Sequence, residues 1–182
     1  LVIAVSPANW QLYQENLPAW TSDLQGTTHL DQLLGRSGDL PFVDVRESML
    51  VAKETAPVYS SVNSHWTPYG ANAAWGQIVN CAASLYPSSV WAGVSIPEMS
   101  GVESDLAPNE FAGFGDTSAP EDWTIPKYRS ALNPFSTEIS DASGEIVAGG
   151  ESANIGLLEM PAATTNPQGS GTALILRDST GD

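Results

Sequence analysis

The fold is decided by residues 67–85, which read TPYGANAAWGQIVNCAASL. Thr67 is a good N-cap, and Pro68 suits the first helical position, where no backbone N–H is needed. The apolar residues that follow recur at helical spacing and form one stripe: Ala71, Ala74, Trp75, Ile78, Ala82 and Leu85. The stretch therefore predicts an amphipathic helix, which Pro87 ends.

Strand and helix patterns alternate around this helix. Residues 1–5 (LVIAV) and 41–45 (PFVDV) have the composition of strands, and the first is typical of a strand buried on both faces. Residues 27–36 and 47–53 are predicted to be helical, and residues 173–176 to be a last strand. This alternation predicts an α/β fold with a mostly parallel sheet.

Residues 88–171 differ in composition, being rich in Gly, Pro, Ser and acidic residues with weak periodicity. We interpret them as an irregular insertion packed against the α/β core, with a separate domain as the alternative. A hairpin is predicted at residues 139–147, turning at Ser143 and Gly144. The chain is otherwise predicted to be one domain, residues 1–182. Because it starts in a strand and stops just past one, we expect it to be a piece of a longer protein, truncated at both ends.

Composition excludes several classes of protein. The 182 residues include six Trp and are 42% hydrophobic, which is enough for a core. Six basic against 21 acidic residues give a net charge of −15, which disfavours nucleic acid and anionic membrane surfaces as partners. The single cysteine, Cys81, cannot form an internal disulfide and is predicted to be a small core residue. No run is long enough for a membrane span, and no signal-peptide pattern is present.

A candidate general base lies just before the helix. Of the two histidines, His65 lies on a loop two residues after Asn63, so both side chains can point the same way. An imidazole held by a polar neighbour can act as a base in acyl transfer. The alternative is that His65 caps the helix or packs against Trp66. His29 has no orienting neighbour and is interpreted as a surface or half-buried residue.

A candidate nucleophile lies near the other end of the chain. Ser179 follows the predicted last strand, in the sequence RDST of residues 177–180. Ligands of open α/β sheets bind beyond the carboxyl ends of strands, where a serine is accessible. The same residues are ordinary turn formers. The presence of His65 favours a Ser–His site over a simple turn.

These blocks resemble the SGNH-hydrolase-like domain of the alginate O-acetyltransferases (AlgX/AlgJ-like). That family carries a D-x-H-W-T-x-x-G-A block ahead of a G-D-S-F-type nucleophile block, and here the two read NSHWTPYGA (residues 63–71) and RDST. Residues 2–7 with Tyr13 and residues 17–18, and also residues 43–46, resemble further segments of the family. Asn63 stands where the family has Asp, and Arg177 where it has Gly.

The resemblance implies a three-layer α/β/α sandwich of the SGNH type. It also implies O-acetylation or deacetylation of a cell-envelope or exported polysaccharide. Ser179 would be the nucleophile, His65 the general base and Asn63 the group that orients it. Residues predicted to contact the substrate are Trp66, Tyr69, Tyr59 and Arg177, with Trp66 as a core residue in the alternative interpretation.

The resemblance further implies an extracytoplasmic location, no metal or other cofactor, a carbohydrate acceptor and a partner protein that donates acetyl groups. Asn63 can orient an imidazole, but it cannot neutralise the imidazolium that forms. This departure leaves three alternatives: slow chemistry, a carboxylate supplied from elsewhere, or a domain that binds without reacting. The last would be a catalytically inactive carbohydrate-binding or scaffold domain of an envelope polysaccharide assembly.

Overall fold

The computed structural model describes residues 1–24, 26–130, 136–140, 143, 145–150 and 162–165. The chain divides into two compact units, Leu1–Arg129 and Ser130–Asp182. The boundary between them lies inside the predicted insertion of residues 88–171 and coincides with neither of its ends.

The first unit combines helices with short strands. Its described α-helices are α1 Asn9–Leu12, α2 His29–Arg36, α3 Arg46–Lys53 and α4 Pro68–Leu85. Its described strands are β1 Ile3–Ala4, β2 Phe42–Val43, β3 Met99–Asp105 and β4 Trp123–Tyr128. Segments of 3-10 helix lie at Gln14–Asn16, Ala19–Leu24, Val90–Gly93 and Ala112–Phe114. The described strands of the second unit are β5 Ser136–Ser140, β6 Ile146–Gly150 and β7 Ala162–Thr165.

Strand pairing is both parallel and antiparallel. Strand β1 pairs in parallel with β2, with Ile3 opposite Phe42. Strands β3 and β4 are antiparallel, and β5 lies between β6 and β7, antiparallel to both. The predicted α/β composition is confirmed, and the β5–β6 hairpin confirms the one predicted at residues 139–147. A three-layer sandwich with a mostly parallel sheet is not confirmed. Among the described residues, the parallel sheet consists of the two strands β1 and β2, and the other strand pairs are antiparallel. The strand predicted at residues 173–176 lies outside those ranges.

Helix α4 begins and ends where the sequence predicts. Thr67 Oγ1 accepts a hydrogen bond from the Gly70 N–H at 3.1 Å, and Pro68 lies in the first turn. The buried residues of α4 are Tyr69, Gly70, Ala74, Val79 and Ala82. Trp75 and Leu85, which belong to the predicted stripe, remain 39% and 48% exposed. The predicted stripe is therefore buried in part, at Ala74 and Ala82, with Ile78 packed against the core.

The core of the first unit draws on α1, β2, α3 and α4. Its buried cluster consists of Leu12, Val43, Val45, Met49, Val58, Tyr59, Tyr69 and Ala74. Cys81 is a free thiol that packs against this cluster from a partly buried position, in line with the prediction. Strand β1 is less buried than predicted, because Ile3 is half-buried and Ala4 is exposed. No helix in the described part of the chain is long and apolar enough to cross a membrane.

The β3–β4 hairpin falls within the predicted insertion but is an ordered part of the first unit. The Tyr128 hydroxyl donates to Asn72 Oδ1 on α4 at 2.8 Å. The Thr124 side chain is fully buried, and its Oγ1 lies 2.8 Å from Thr67 Oγ1 and also bonds the Pro57 carbonyl. These contacts hold β4 against the start of α4, where the candidate base is located.

Candidate active site

The loop before α4 is closed at its base by backbone pairing. Tyr59 and Trp66 form an antiparallel β-bridge, and the Thr67 N–H donates to the Val58 carbonyl at 2.9 Å. Residues 60–65 therefore form a short loop whose two ends are fixed. His65 lies at the end of this loop, one residue before the bridge partner Trp66 and two before the helix cap.

Asn63 is buried and uses both ends of its amide. Its Oδ1 accepts a hydrogen bond from the His65 backbone N–H at 2.8 Å, and its Nδ2 donates to the Pro108 carbonyl at 2.7 Å. A flipped amide would place two donors face to face at His65 and two acceptors at Pro108. The hydrogen-bond network therefore fixes the orientation of Asn63, with its oxygen toward His65.

The imidazole of His65 meets two acceptors at one nitrogen. Nδ1 lies 3.1 Å from Asn63 Oδ1 and 2.6 Å from Glu110 Oε1. Since neither oxygen can donate a proton, the neutral imidazole carries its proton on Nδ1. Nε2 is then the basic nitrogen, and none of the described side chains hydrogen-bonds it. The His65 side chain is 30% exposed, so the ring is accessible from solvent.

Glu110 is itself held in place. Its Oε2 accepts hydrogen bonds from the Ser64 N–H at 2.8 Å and the Ser64 hydroxyl at 2.6 Å, while its backbone N–H donates to Val62 O at 3.1 Å. Partial burial raises the pKa of the Glu110 carboxyl, but the Ser64 hydrogen bonds and the His65 ring outweigh this effect and lower that pKa overall. Glu110 is therefore a carboxylate at neutral pH, with one oxygen on His65 and the other on Ser64.

A second carboxylate, that of Asp122, hydrogen-bonds the same loop at Ser61. Asp122 Oδ2 accepts hydrogen bonds from the Ser61 N–H at 2.8 Å and from the Ser61 hydroxyl at 2.7 Å. The segment that contains Glu110 and Asp122 thus fixes the histidine loop at two serines. The site is preorganised, because the loop does not need to rearrange to bring the carboxylate to the ring.

The sequence predicted Asn63 beside His65 and did not predict Glu110. Asn63 was found because its spacing from His65 is local. Glu110 lies in the Gly- and Pro-rich region with no periodic pattern, and its acidic character alone does not distinguish it from many other carboxylates. The structure places a carboxylate from a distant part of the sequence, Glu110, at the ring of His65.

The other predicted site residues have different environments. Tyr59 and Tyr69 are each 4% exposed and lie in the core rather than on a sugar-binding groove; their hydroxyls donate to the Pro7 and Ala52 carbonyls. Trp66 is partly buried and packs against the core. His29 is the exposed first residue of α2. Ser179 and Arg177 lie outside the described residues. Within the described ranges, no group of three or more His, Cys, Asp or Glu side chains could hold a metal ion.

Comparison with known proteins shows a structural likeness and no match by sequence. No protein-family model matches the chain, and no curated protein matches it. Among solved structures, it is similar to the O-acetyltransferase domain of Pseudomonas putida AlgJ, with 20% sequence identity and a TM-score of 0.43. The match covers 69% of this chain and 46% of that one, so the chain spans less than half of that structure. The AlgJ domain belongs to the family that residues 63–71 and 177–180 resemble.

The lowered pKa of Glu110 makes a testable contribution to stability. A carboxyl with a lowered pKa in the folded state stabilises the fold above its ordinary pKa of 4.5, and this stabilisation is lost as the pH falls through the lowered value. We therefore expect Glu110→Gln to lower the free energy of unfolding at about pH 7, and the difference from wild type to shrink below about pH 4.

Urea denaturation from about pH 3 to about pH 7 measures this difference. Glu54→Gln, at an exposed position at the end of α3, is the control and should follow wild type throughout. A Glu110→Gln difference that stays constant over the whole range would contradict the assignment of a lowered pKa.

Proposed function

We propose that this protein catalyses acyl transfer, as an O-acetyltransferase or acetylesterase, with His65 as the general base. The observation that carries this proposal is the 2.6 Å contact between Glu110 Oε1 and His65 Nδ1. A carboxylate on Nδ1 leaves Nε2 free to accept a proton and stabilises the imidazolium that forms. Glu110 thus supplies the negative charge that Asn63 lacks.

Ser179, the nucleophile predicted from the sequence, completes the proposed reaction. Its Oγ attacks the acyl carbonyl while His65 Nε2 takes the hydroxyl proton. The tetrahedral intermediate collapses, and the departing oxygen receives that proton from His65. A hydroxyl of the acceptor, or water, then attacks the acyl-serine with His65 again taking the proton, and the bond from Ser179 Oγ to the acyl group breaks as His65 returns that proton to Oγ. Attack by the acceptor hydroxyl makes the protein a transferase, and attack by water makes it an esterase.

Asn63 and Ser64 are positioning residues in this proposal. Asn63 holds the backbone and ring of His65 through one oxygen, and its own amide is anchored on Pro108. Ser64 holds Glu110 through two donors. Asn63 bonds the same ring nitrogen as Glu110, and Ser64 bonds the other oxygen of Glu110, so neither acts at Nε2 and neither needs to touch the substrate.

The acceptor we propose is a cell-envelope or exported polysaccharide, modified outside the cytoplasm with acetyl groups delivered by a partner protein. The support is the resemblance of residues 63–71 and 177–180 to the corresponding blocks of O-acetyltransferase domains. Arg177, two residues before the nucleophile in sequence, is proposed to contact the substrate. The net charge of −15 favours a neutral polymer over a polyanionic one.

Trapping the acyl-enzyme tests this function. Full-length protein is incubated with an activated acetyl ester, quenched in acid and digested, and the peptides are analysed by mass spectrometry. We expect acetylation of Ser179 in wild type and none at that position in Ser179→Ala. Adding a neutral oligosaccharide distinguishes a transferase, which acetylates the sugar, from an esterase. If wild type carries no acetyl group on Ser179, the reaction is excluded and a carbohydrate-binding or scaffold role is left.

A further inference from the structure

A cleft of about 290 Å³ lies in the first unit, lined by residues that the proposed reaction does not use. Its lining includes Trp10, Gln11 and Gln14 from the segment after β1, and Thr28, Asp31 and Arg46 from the starts of α2 and α3. The volume is close to the lower end of ligand pockets, roughly 300 Å³, which suits a small ring rather than a large cofactor.

The cleft lies where the fold favours ligand binding. The chain leaves β1 toward α1, which supplies Trp10 and Gln11, and leaves β2 toward α3, which supplies Arg46. Because β1 and β2 run in parallel, both segments start from the same edge of the pair. Ligands of parallel α/β sheets bind beyond the carboxyl ends of the strands, and the cleft satisfies this rule.

Part of the lining combines the indole of Trp10 with side-chain amide groups that can bond a ligand. Trp10 is 42% exposed although it is large and apolar. Gln11 uses its Oε1 to accept the Ala8 N–H at 3.0 Å, which leaves its NH₂ group free to donate. None of the described residues hydrogen-bonds the Gln14 amide. An indole face suits the C–H side of a sugar ring, and planar amides can both donate to and accept from sugar hydroxyls.

The rest of the lining includes an ion pair held in place by further hydrogen bonds. Arg46 contacts Asp31 Oδ1 and Asp44 Oδ2, each at 2.6 Å, and Asp31 Oδ2 accepts the Thr28 N–H at 2.9 Å. Hydrogen bonds from Arg46 and Thr28 lower the pKa of Asp31 to about 2, so it remains ionised at neutral pH. The Arg46 charge is balanced by Asp31 in the lining and also by Asp44, which does not line the cleft, so no uncompensated positive charge faces a ligand. This part of the lining therefore offers no free cation to attract an anionic ligand, while its carboxylate oxygens accept bonds from neutral hydroxyl groups.

We propose that this cleft is a binding site for a neutral saccharide unit, with the ring stacked on Trp10 and its hydroxyls bonded to Gln11, Gln14 and the Arg46–Asp31 pair. The site is separate from His65, and its occupancy does not require the acyl-transfer reaction. It would hold a polysaccharide chain on the protein while another unit of that chain reacts, or hold it without any reaction.

Isothermal titration calorimetry of the full-length protein with cellotetraose, maltotetraose and tetragalacturonate tests the proposal. We expect at least one neutral tetrasaccharide to bind more tightly than the uronate. Trp10→Ala should then lose about tenfold or more in affinity, and Trp20→Ala is the matched control, since Trp20 is 73% exposed and does not line the cleft.

Gln14→Ala, at an exposed position outside the core, gives a second measurement in case Trp10→Ala unfolds, and we expect about three- to tenfold weaker binding. His65→Ala should bind the sugar as wild type does, so a failed reaction and a failed cleft give different results. The proposal is overturned if neither neutral sugar binds, if the uronate binds best, or if the Trp10 and Gln14 variants both retain wild-type affinity.

Discussion

Replacing Glu110 by Gln should lower kcat for acetyl-ester turnover by about 10²- to 10⁴-fold, because the corresponding loss of charge in a serine-protease triad costs about 10⁴. Ser64 presents two donors to one side of this carboxylate. The single oxygen of a glutamine amide would turn to those donors, which places its NH₂ group at His65 Nδ1. The ring would then carry its proton on Nε2 and could not act as a base.

The assay compares kcat and KM for an activated acetyl ester in wild type, Glu110→Gln and the control Glu121→Gln. Glu121 is exposed and lies in the same segment as Glu110, so its substitution changes the net charge equally without touching His65. KM should change little, since Glu110 acts on the base rather than on the substrate. A kcat for Glu110→Gln within about twofold of the control would show that the carboxylate does not assist the base.

Because Glu110 and Asn63 contact the same nitrogen of His65, the effect of Asn63→Asp on kcat should depend on whether Glu110 is present. Alone, Asn63→Asp would place a second carboxylate beside Glu110 and replace the amide donor that bonds Pro108. We therefore expect no gain in kcat from this single change and a lower stability. In the Glu110→Gln background, however, the new carboxylate becomes the charge on Nδ1, and we expect recovery of at least about tenfold in kcat. Equal effects of Asn63→Asp in both backgrounds would contradict the shared role of the two side chains.

Gly70→Ala should destabilise the first unit by about 2–3 kcal/mol, the upper part of the range for overpacking in a rigid core. A Cβ at Gly70 would overlap the carbonyl oxygen of Val58, a backbone atom that cannot rotate away. That same carbonyl accepts the Thr67 N–H at the cap of α4. The clash must therefore move either the helix or the strand-like segment at Val58, and both carry the loop of His65.

Gly76→Ala in the same helix is the matched control. Its Cβ would lie 3.5 Å from Ile96 Cδ1, an ordinary contact, and alanine favours a helix over glycine by about 0.5–1 kcal/mol. Thermal or urea unfolding should thus show opposite signs for the two substitutions. If both substitutions stabilise the protein, or if Gly70→Ala leaves its stability unchanged, then α4 does not approach Val58 as closely as described.

Local signals in the sequence predicted three of the described helices, α2, α3 and α4, but not the short α1. Thr67, Pro68 and the end at Leu85 define α4, because caps, a first-turn proline and apolar spacing act within a few residues. The predicted helices at residues 27–36 and 47–53 correspond to α2 and α3 with shifts of one or two residues at their starts. Strand order was not predictable in this way, since the pairing partner of a strand is set by contacts distant in sequence.

The site shows the same division between local and distant contacts. The contact of Asn63 with His65 follows from a spacing of two in an extended segment, and it is present. The inward positions of Tyr59 and Tyr69 depend on the β-bridge and on the buried face of α4, neither of which the motif reveals. Glu110 reaches His65 only because Val62 and Ser64 pair with its segment, which is a tertiary contact without any sequence period.

Reaction of the full-length protein with a serine-directed phosphonate tests the central claim most directly, namely that His65 and Glu110 activate Ser179. The rate of modification at Ser179 is followed by peptide mass spectrometry in wild type, Glu110→Gln, and Glu110→Gln combined with Asn63→Asp. The account predicts modification of Ser179 in wild type, a rate lower by about 10²-fold or more in Glu110→Gln, and partial recovery in the double variant. No modification of Ser179 in wild type, or one rate shared by all three proteins, would contradict it.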